Sequence, residues 1–295
     1  METKKIMELE EKLANYQGKD RIVTSHELQA YYDTLPIQKT MSTGIHSLDR
    51  ILDGVELGEL IVFTGPTGGG KTSILISITK NISEENKCVW FTLEVPQRQF
   101  LKKFGDKLPE FYIPNENVDN NMQWIIERIV EAKVKFGVNI VFIDHLHFLF
   151  SIDRFNGKNL SLELGDIVAK LKQIAIKYNI IIFLVAHSTD PKEGTSREPK
   201  MSDVRDSGMI IRLADTVCGV WRIPNNYNGE ETTVGEIGEN DTRAKLRVWK
   251  NRRMGKLGKI IFNVENAHYK EVDTTKEPKA PTKRQQKFRD MLDEV

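Results

Sequence analysis

Residues 60–73, Leu60-Ile61-Val62-Phe63-Thr64-Gly65-Pro66-Thr67-Gly68-Gly69-Gly70-Lys71-Thr72-Ser73, run from a mostly apolar stretch through a glycine-rich turn into a helix-like segment ending near residue 82. Residues 65–72 fit GxxxxGK[ST] at every position, with a strand pattern before and a helix pattern after. The chemistry follows from the residue types. Glycines let successive backbone N–H groups turn inward around a phosphate, and a helix N-terminus adds partial positive charge. Lys71 is placed to reach the β- and γ-phosphates of a nucleoside triphosphate, and the Thr72 hydroxyl to ligate Mg²⁺. Gly65, Pro66, Thr67, Gly68, Gly69, Gly70, Lys71, Thr72 and Ser73 form the candidate nucleotide-binding set, with ATP and Mg²⁺ as the implied ligands.

Downstream, apolar runs recur at 88–94, 139–145, 180–187, 216–223, 245–250 and 259–265. Runs apolar on successive residues suit strands buried on both faces. Helix-like segments lie between them at about 71–82, 97–107, 120–136 and 161–178. This alternation predicts an α/β fold with a mainly parallel central sheet flanked by helices. The last two runs are close together and predict a C-terminal β-hairpin. The expected organisation is an N-terminal helix and linker over 1–40, the main domain over 41–272 and a flexible basic tail over 273–295. In the first of these, Ile6, Leu9, Leu13 and Tyr16 share one helical stripe, and 19–40 read as linker with Pro36 near its end.

Three apolar runs end in groups with chemistry. Asp144 closes IVFID, the arrangement that fixes a carboxylate beside Mg²⁺; the plainer reading is an ordinary strand-end acid. Glu94 closes CVWFTLE. Strand ends of a parallel sheet share the edge where ligands bind, so Glu94 is the candidate catalytic base against a plain solvated glutamate. His187 closes IIIFLVAH at the same edge, where an imidazole could contact the γ-phosphate; a lone histidine is more often structural.

Bulk properties exclude other classes. The formal net charge is +1, so any nucleic-acid contact must be local. Cys88 and Cys218 each sit in an apolar run and form neither a metal cluster nor a disulfide framework. No apolar run reaches the roughly 18 residues of a membrane span, and the charged N-terminus lacks a signal-peptide core. The expected location is the cytoplasm of a bacterium or of an infected host cell, with no membrane partner.

Taken in order, GPTGGGKT (65–72), FTLE (91–94), IVFIDH (140–145), LVAH (184–187), DVRDSGMIIRLAD (203–215) and KNRRMGKLG (250–258) resemble the DnaB-like, superfamily 4, replicative DNA helicases, nearest the phage ring helicase and Twinkle branch. The resemblance covers about residues 42–270. It implies a RecA-like P-loop NTPase and a motor translocating 5′ to 3′ on single-stranded DNA. It further implies a homo-oligomeric ring, a hexamer, with primase, polymerase or a loader as partners. By resemblance, Glu94 falls on the catalytic glutamate, Asp144 on the Walker B acid and His187 on the γ-phosphate contact. Arg252 falls on the arginine finger given to the neighbouring subunit, with Lys250 assisting. Arg222 falls on a nucleobase contact, and Phe262 on a residue packing against the base. Arg212 departs from the glutamine common in the family. About 40 residues precede the core, too few for a primase, zinc-binding or DnaB-type N-terminal domain.

The family's DNA loops leave the nucleotide edge after the Walker B strand and after His187. Here those loops offer Arg154, Lys158 and Asn159, then Lys192, Arg197 and Lys200. Such groups bind backbone phosphate without sequence choice; mobile surface loops are the alternative. Residues 243–259 carry eight basic residues and no acid, which the finger explains in part. Two rivals remain open: a filament-forming RecA/RadA-like recombination ATPase, and a regulatory helicase paralogue without unwinding activity.

Overall fold

The computed structural model describes residues 2–36, 39–117, 121–146, 160–188, 195–196, 198–204, 207–223, 232–233, 243–265 and 268–272. The chain divides into two compact units, Met1–Lys39 and Thr40–Val295. In the first, α1 spans Glu2–Ala14 and α2 spans Ser25–Asp33. Ile6, Leu9, Leu13 and Tyr16 are exposed. Helix α2 occupies what the sequence suggested was linker. Its start is set locally: the Thr24 hydroxyl accepts from the Glu27 N–H at 3.1 Å, and Glu27 adds favourable charge in the first turn.

In the second unit, α3 (His46–Leu52) precedes β1 (Leu60–Gly65), α4 (Lys71–Ile82), β2 (Cys88–Thr92), α5 (Gln97–Lys102), α6 (Met122–Phe136), β3 (Ile140–Asp144), α7 (Leu160–Tyr178) and β4 (Ile181–His187). There follow β5 (Thr195–Ser196), α8 (Ser207–Leu213), β6 (Thr216–Ile223), β7 (Thr232–Thr233), β8 (Arg243–Asn251), β9 (Gly258–Glu265) and β10 (His268–Glu271). The described residues form an eight-stranded sheet in the order β10-β9-β8-β6-β1-β4-β3-β2 and a two-stranded ribbon, β5-β7. Strands β6, β1, β4, β3 and β2 are mutually parallel. Strands β8, β9 and β10 run antiparallel to their neighbours. The fold is therefore α/β and RecA-like, with the expected hairpin present as β8–β9. Strand β10, which the sequence pattern did not reveal, extends that hairpin.

Successive strand residues face opposite sides, and both sides are covered. Ile61, Phe63, Trp90, Phe142 and Phe183 pack with Leu48, Ile74, Ile78 and Phe100 from α3, α4 and α5. Leu60, Val62, Phe91, Ile143 and Leu184 pack with Ile125, Ile129, Leu164, Leu171 and Ile210 from α6, α7 and α8. Burial on both faces explains why these strands read as unbroken apolar runs. The register matters most at their C-terminal ends. Gly65 is level with His187, and Thr92 with Asp144, so the chemistry-bearing residues emerge along one sheet edge. Among the described residues, no helix is long and apolar enough to cross a membrane.

Candidate active site

The turn from β1 into α4 is shaped by glycines at left-handed backbone angles. Gly70, at φ +94°, caps α4, and a Cβ there would lie 1.8 Å from the Tyr269 hydroxyl oxygen. A Cβ on Gly65 would lie 2.0 Å from the Val220 carbonyl oxygen. Lys71 is only 5% exposed, and its Nζ donates to the Gly65 and Pro66 carbonyls at 2.9 Å each. The loop thus closes around its own lysine.

A cleft of ≈ 230 Å³ opens over this turn, and Thr67, Gly68, Gly70, Lys71, Thr72, Ser73, Glu94, His187 and Arg222 all line it. Asp144 lies beneath, 1% exposed. Its Oδ2 accepts from the Thr72 hydroxyl at 2.8 Å. Its Oδ1 is buried and makes no hydrogen bond among the described residues. Burial pushes the Asp144 pKa up to about 6, the Thr72 hydrogen bond opposing and the Glu94 charge adding to the rise. A buried, under-satisfied carboxylate bonded to a hydroxyl suits the oxygen-ligand set of Mg²⁺. Thr72 and Asp144 therefore fit that ion as ligands, and the adjoining loop amides fit phosphate oxygens.

The Glu94 side chain is 35% exposed and reaches the cleft from just past the end of β2. Its Oε2 lies 2.8 Å from His145 Nε2, and the same nitrogen is 3.4 Å from Asp144 Oδ1. The His145 ring stacks on His187, with centroids 3.9 Å apart and planes 12° apart. The Asp144–His145 peptide bond is cis. On the other side of the cleft, the Arg222 guanidinium sits 5.5 Å from the Tyr269 ring centroid. Tyr269 donates its hydroxyl to the Gly70 carbonyl at 3.1 Å, and burial pushes its pKa up to about 12.

The two arginines after β8 behave differently. Arg253 is tied down: Nε contacts Glu59 at 3.1 Å, and Nη2 donates to the Leu52 and Gly54 carbonyls at 2.7 Å each. The Arg252 side chain is 66% exposed and only loosely associated with Asp215, at 3.9 Å. The Arg252 backbone N–H donates to the Asp215 carbonyl, and Asp215 brackets Leu60 at the start of β1. Arg252 therefore sits at the sheet edge opposite the phosphate loop. The five residue steps of β1 from Leu60 to Gly65 alone separate those edges by roughly 16 Å.

Residues 40–120 and 106–271 match the family described as DnaB-like helicase C terminal domain. The chain belongs to that family. It is 25% identical over 245 residues to the "Probable replicative DNA helicase" of Trieres chinensis, covering 70% of this chain and 53% of that protein. It is 27% identical over 257 residues to "Replicative DNA helicase DnaB" of Mycoplasma genitalium, covering 76% and 54% respectively. The chain spans about half the length of these curated relatives. In fold it is similar to a solved DnaB-like replicative helicase described with its interactions with primase, at TM-score 0.67 and 18% identity, covering 91% of this chain and 71% of that one.

Against this DnaB-like background, two expected roles need correction. Phe262 is fully buried and meets Tyr269 edge-on at 5.4 Å, so no base can pack on its ring in this arrangement. The aromatic residue at the phosphate loop is Tyr269, on the unforeseen strand β10. Lys250, although near enough to feel the Arg252 charge, is engaged by the chain itself: its Nζ donates to the carbonyls of Ile211, Arg212 and Ala214 at 2.7, 3.2 and 2.6 Å. It caps the C-terminal end of α8, where exposed carbonyls favour a cation. Burial, with the Arg252 charge next, holds its pKa below the ordinary lysine value.

The DNA candidates Arg154, Lys158, Asn159, Lys192 and Arg197 lie outside the described residues. Lys200 is exposed, and its backbone N–H donates to Asp203 at 2.7 Å. Sequence reasoning also passed over His145 and Lys103, both lining the cleft. His145 directly follows Asp144, and that adjacency was the available signal. Lys103 lies just past α5 and carried none.

Proposed function

We propose that this chain is the ATP-hydrolysing motor of a replicative DNA helicase that translocates 5′ to 3′ on single-stranded DNA as a homo-oligomeric ring. The observation that carries the reading is the division of parts between sheet edges. Lys71, Thr72, Glu94, Asp144 and His187 gather at one edge, while the exposed Arg252 stands at the other. At roughly 16 Å or more, Arg252 cannot complete its own site, but it can complete that of a neighbouring copy.

In this reading Glu94 orients a water molecule and accepts its proton as the oxygen attacks the γ-phosphorus. The bond to the β–γ bridging oxygen breaks, and ADP leaves with those electrons. Lys71 and the loop amides stabilise charge on the phosphate oxygens, and the neighbour's Arg252 adds a planar pair of donors. When bound through Thr72 and Asp144, Mg²⁺ supplies further charge neutralisation. His187 contacts the γ-phosphate, and Arg222 with Tyr269 borders the base. A hexamer is the expected ring, and primase the first partner to test.

The test uses a forked duplex with a 5′ single-stranded tail. The wild-type chain with ATP is expected to unwind it; a fork offering only a 3′ tail should stay intact. Glu94→Gln, nearly isosteric but without the base, should bind ATP, hold the strand and fail to unwind. Normal hydrolysis by Glu94→Gln would mean another group is the base. ATP-dependent filaments that never unwind would favour the RecA/RadA-like alternative.

DNA contact is proposed to run through the loops after β3 and β4. Binding should be insensitive to sequence and weaken with salt, with a log–log slope of about −0.7 per phosphate contacted. Neutralising Lys192, Arg197 and Lys200 together should lower affinity and flatten the slope, with ATPase activity in the absence of DNA retained. An unchanged slope would place the DNA elsewhere.

A further inference from the structure

Glu94 follows the β2 strand rather than sitting within it, and it is one-third exposed. A glutamate there has three rotatable side-chain bonds. A general base must be held to a fraction of an ångström to direct a water in line with phosphorus. Something must therefore restrain it.

We infer that His145 is a positioning residue for Glu94, an assignment that rests on Glu94 being the base. The His145 side chain is 3% exposed and follows directly from β3, so its own placement is rigid. Its Nε2 lies between two carboxylates, 2.8 Å from Glu94 Oε2 and 3.4 Å from Asp144 Oδ1. Its ring cannot swing freely, because it lies flat against His187 at 3.9 Å. The imidazole thus separates the tasks of the two acids. Asp144 keeps its Thr72 hydrogen bond on the metal side, and Glu94 is held on the water side. His187 serves as the platform that fixes the plane of His145, so the group at the γ-phosphate and the group holding the base form one packed unit. His145 directly follows β3 and His187 ends β4, and these two strands are parallel neighbours, so the stacked rings are carried by adjacent strand ends.

The experiment compares full-length His145→Ala and His145→Gln in steady-state ATPase assays, with binding of a fluorescent ATP analogue measured in parallel. Alanine removes the nitrogen; the glutamine amide nitrogen can occupy the place of imidazole Nε2. His145→Ala should lower kcat on the order of 10- to 100-fold, the scale of misplacing a reacting group. KM for ATP and analogue affinity should stay near wild type, and His145→Gln should recover most of the lost kcat. The decisive arm is a double-mutant cycle: in a Glu94→Gln background, His145→Ala should cost little more, because the group it positions is already gone. Wild-type kcat in His145→Ala, or an equal loss in both backgrounds, would overturn the positioning role while leaving Glu94 as base. Loss of analogue binding in both His145 variants would also overturn it, marking a structural role. Normal turnover in Glu94→Gln would instead remove the underlying reading.

Discussion

Arg252→Ala is expected to lower ATP turnover by about 10³-fold or more, the range observed for arginine fingers, with nucleotide binding largely intact. The expectation comes from position. The guanidinium is exposed and only loosely associated with Asp215, at 3.9 Å. Its neighbour Arg253 is fixed by Glu59 and by the carbonyls of Leu52 and Gly54. Arg253→Ala should therefore act chiefly on stability, by releasing the turn from the segment before β1. The two substitutions separate a catalytic from a structural arginine in adjacent positions. Arg252→Lys should recover little, since an ammonium lacks the paired planar donors. Turnover near wild type in Arg252→Ala would contradict the assignment. Stopped hydrolysis in Arg253→Ala with unchanged thermal stability would shift the finger by one residue.

Lys71→Ala is expected to lower turnover at least ~10²-fold, about 2.7 kcal/mol of transition-state stabilisation. The ammonium is buried and held by the Gly65 and Pro66 carbonyls, which places it within the loop rather than in solvent. Charge on the β- and γ-phosphate oxygens peaks as the bond breaks, so the loss should fall mainly on kcat. Nucleotide binding should weaken less, because the loop amides and Thr72 remain. Steady-state ATPase with parallel nucleotide titration separates the two effects, and wild-type turnover would undo the whole site.

Much of the architecture was legible because its signals are contiguous. The apolar runs of β1 to β4 report burial on both faces, and the glycines and lysine of 65–72 lie within eight consecutive residues. What was missed depends on partners distant in sequence. Strand β10 is four residues long and has no apolar run, yet it pairs with β9 and brings Tyr269 to Gly70. Helix α2 lacks any buried residue, so periodicity gave no hint, and only its Thr24 cap marks it.

The site shows the same division. Glu94, Asp144 and His187 could be found as strand-end residues because a parallel sheet aligns such ends. The role argued for His145 appears only once β3 and β4 are in register and the imidazole meets both Glu94 and His187. Lys250 was assigned from the family resemblance, which could not show that the carbonyls at the end of α8 also engage it. Phe262 was assigned from the family resemblance alone, which carries no facing direction, and in β9 its ring is buried.

The central claim is that each site is completed by a neighbouring copy, and mixing two inactive proteins tests it most directly. Arg252→Ala keeps an intact phosphate loop, and Lys71→Ala keeps an intact finger. Each alone should be nearly inactive. When they are mixed and co-assembled, some interfaces join an intact Lys71 site to an intact Arg252 donor, and part of the ATPase activity should return. Co-assembly without any recovered activity would contradict the account.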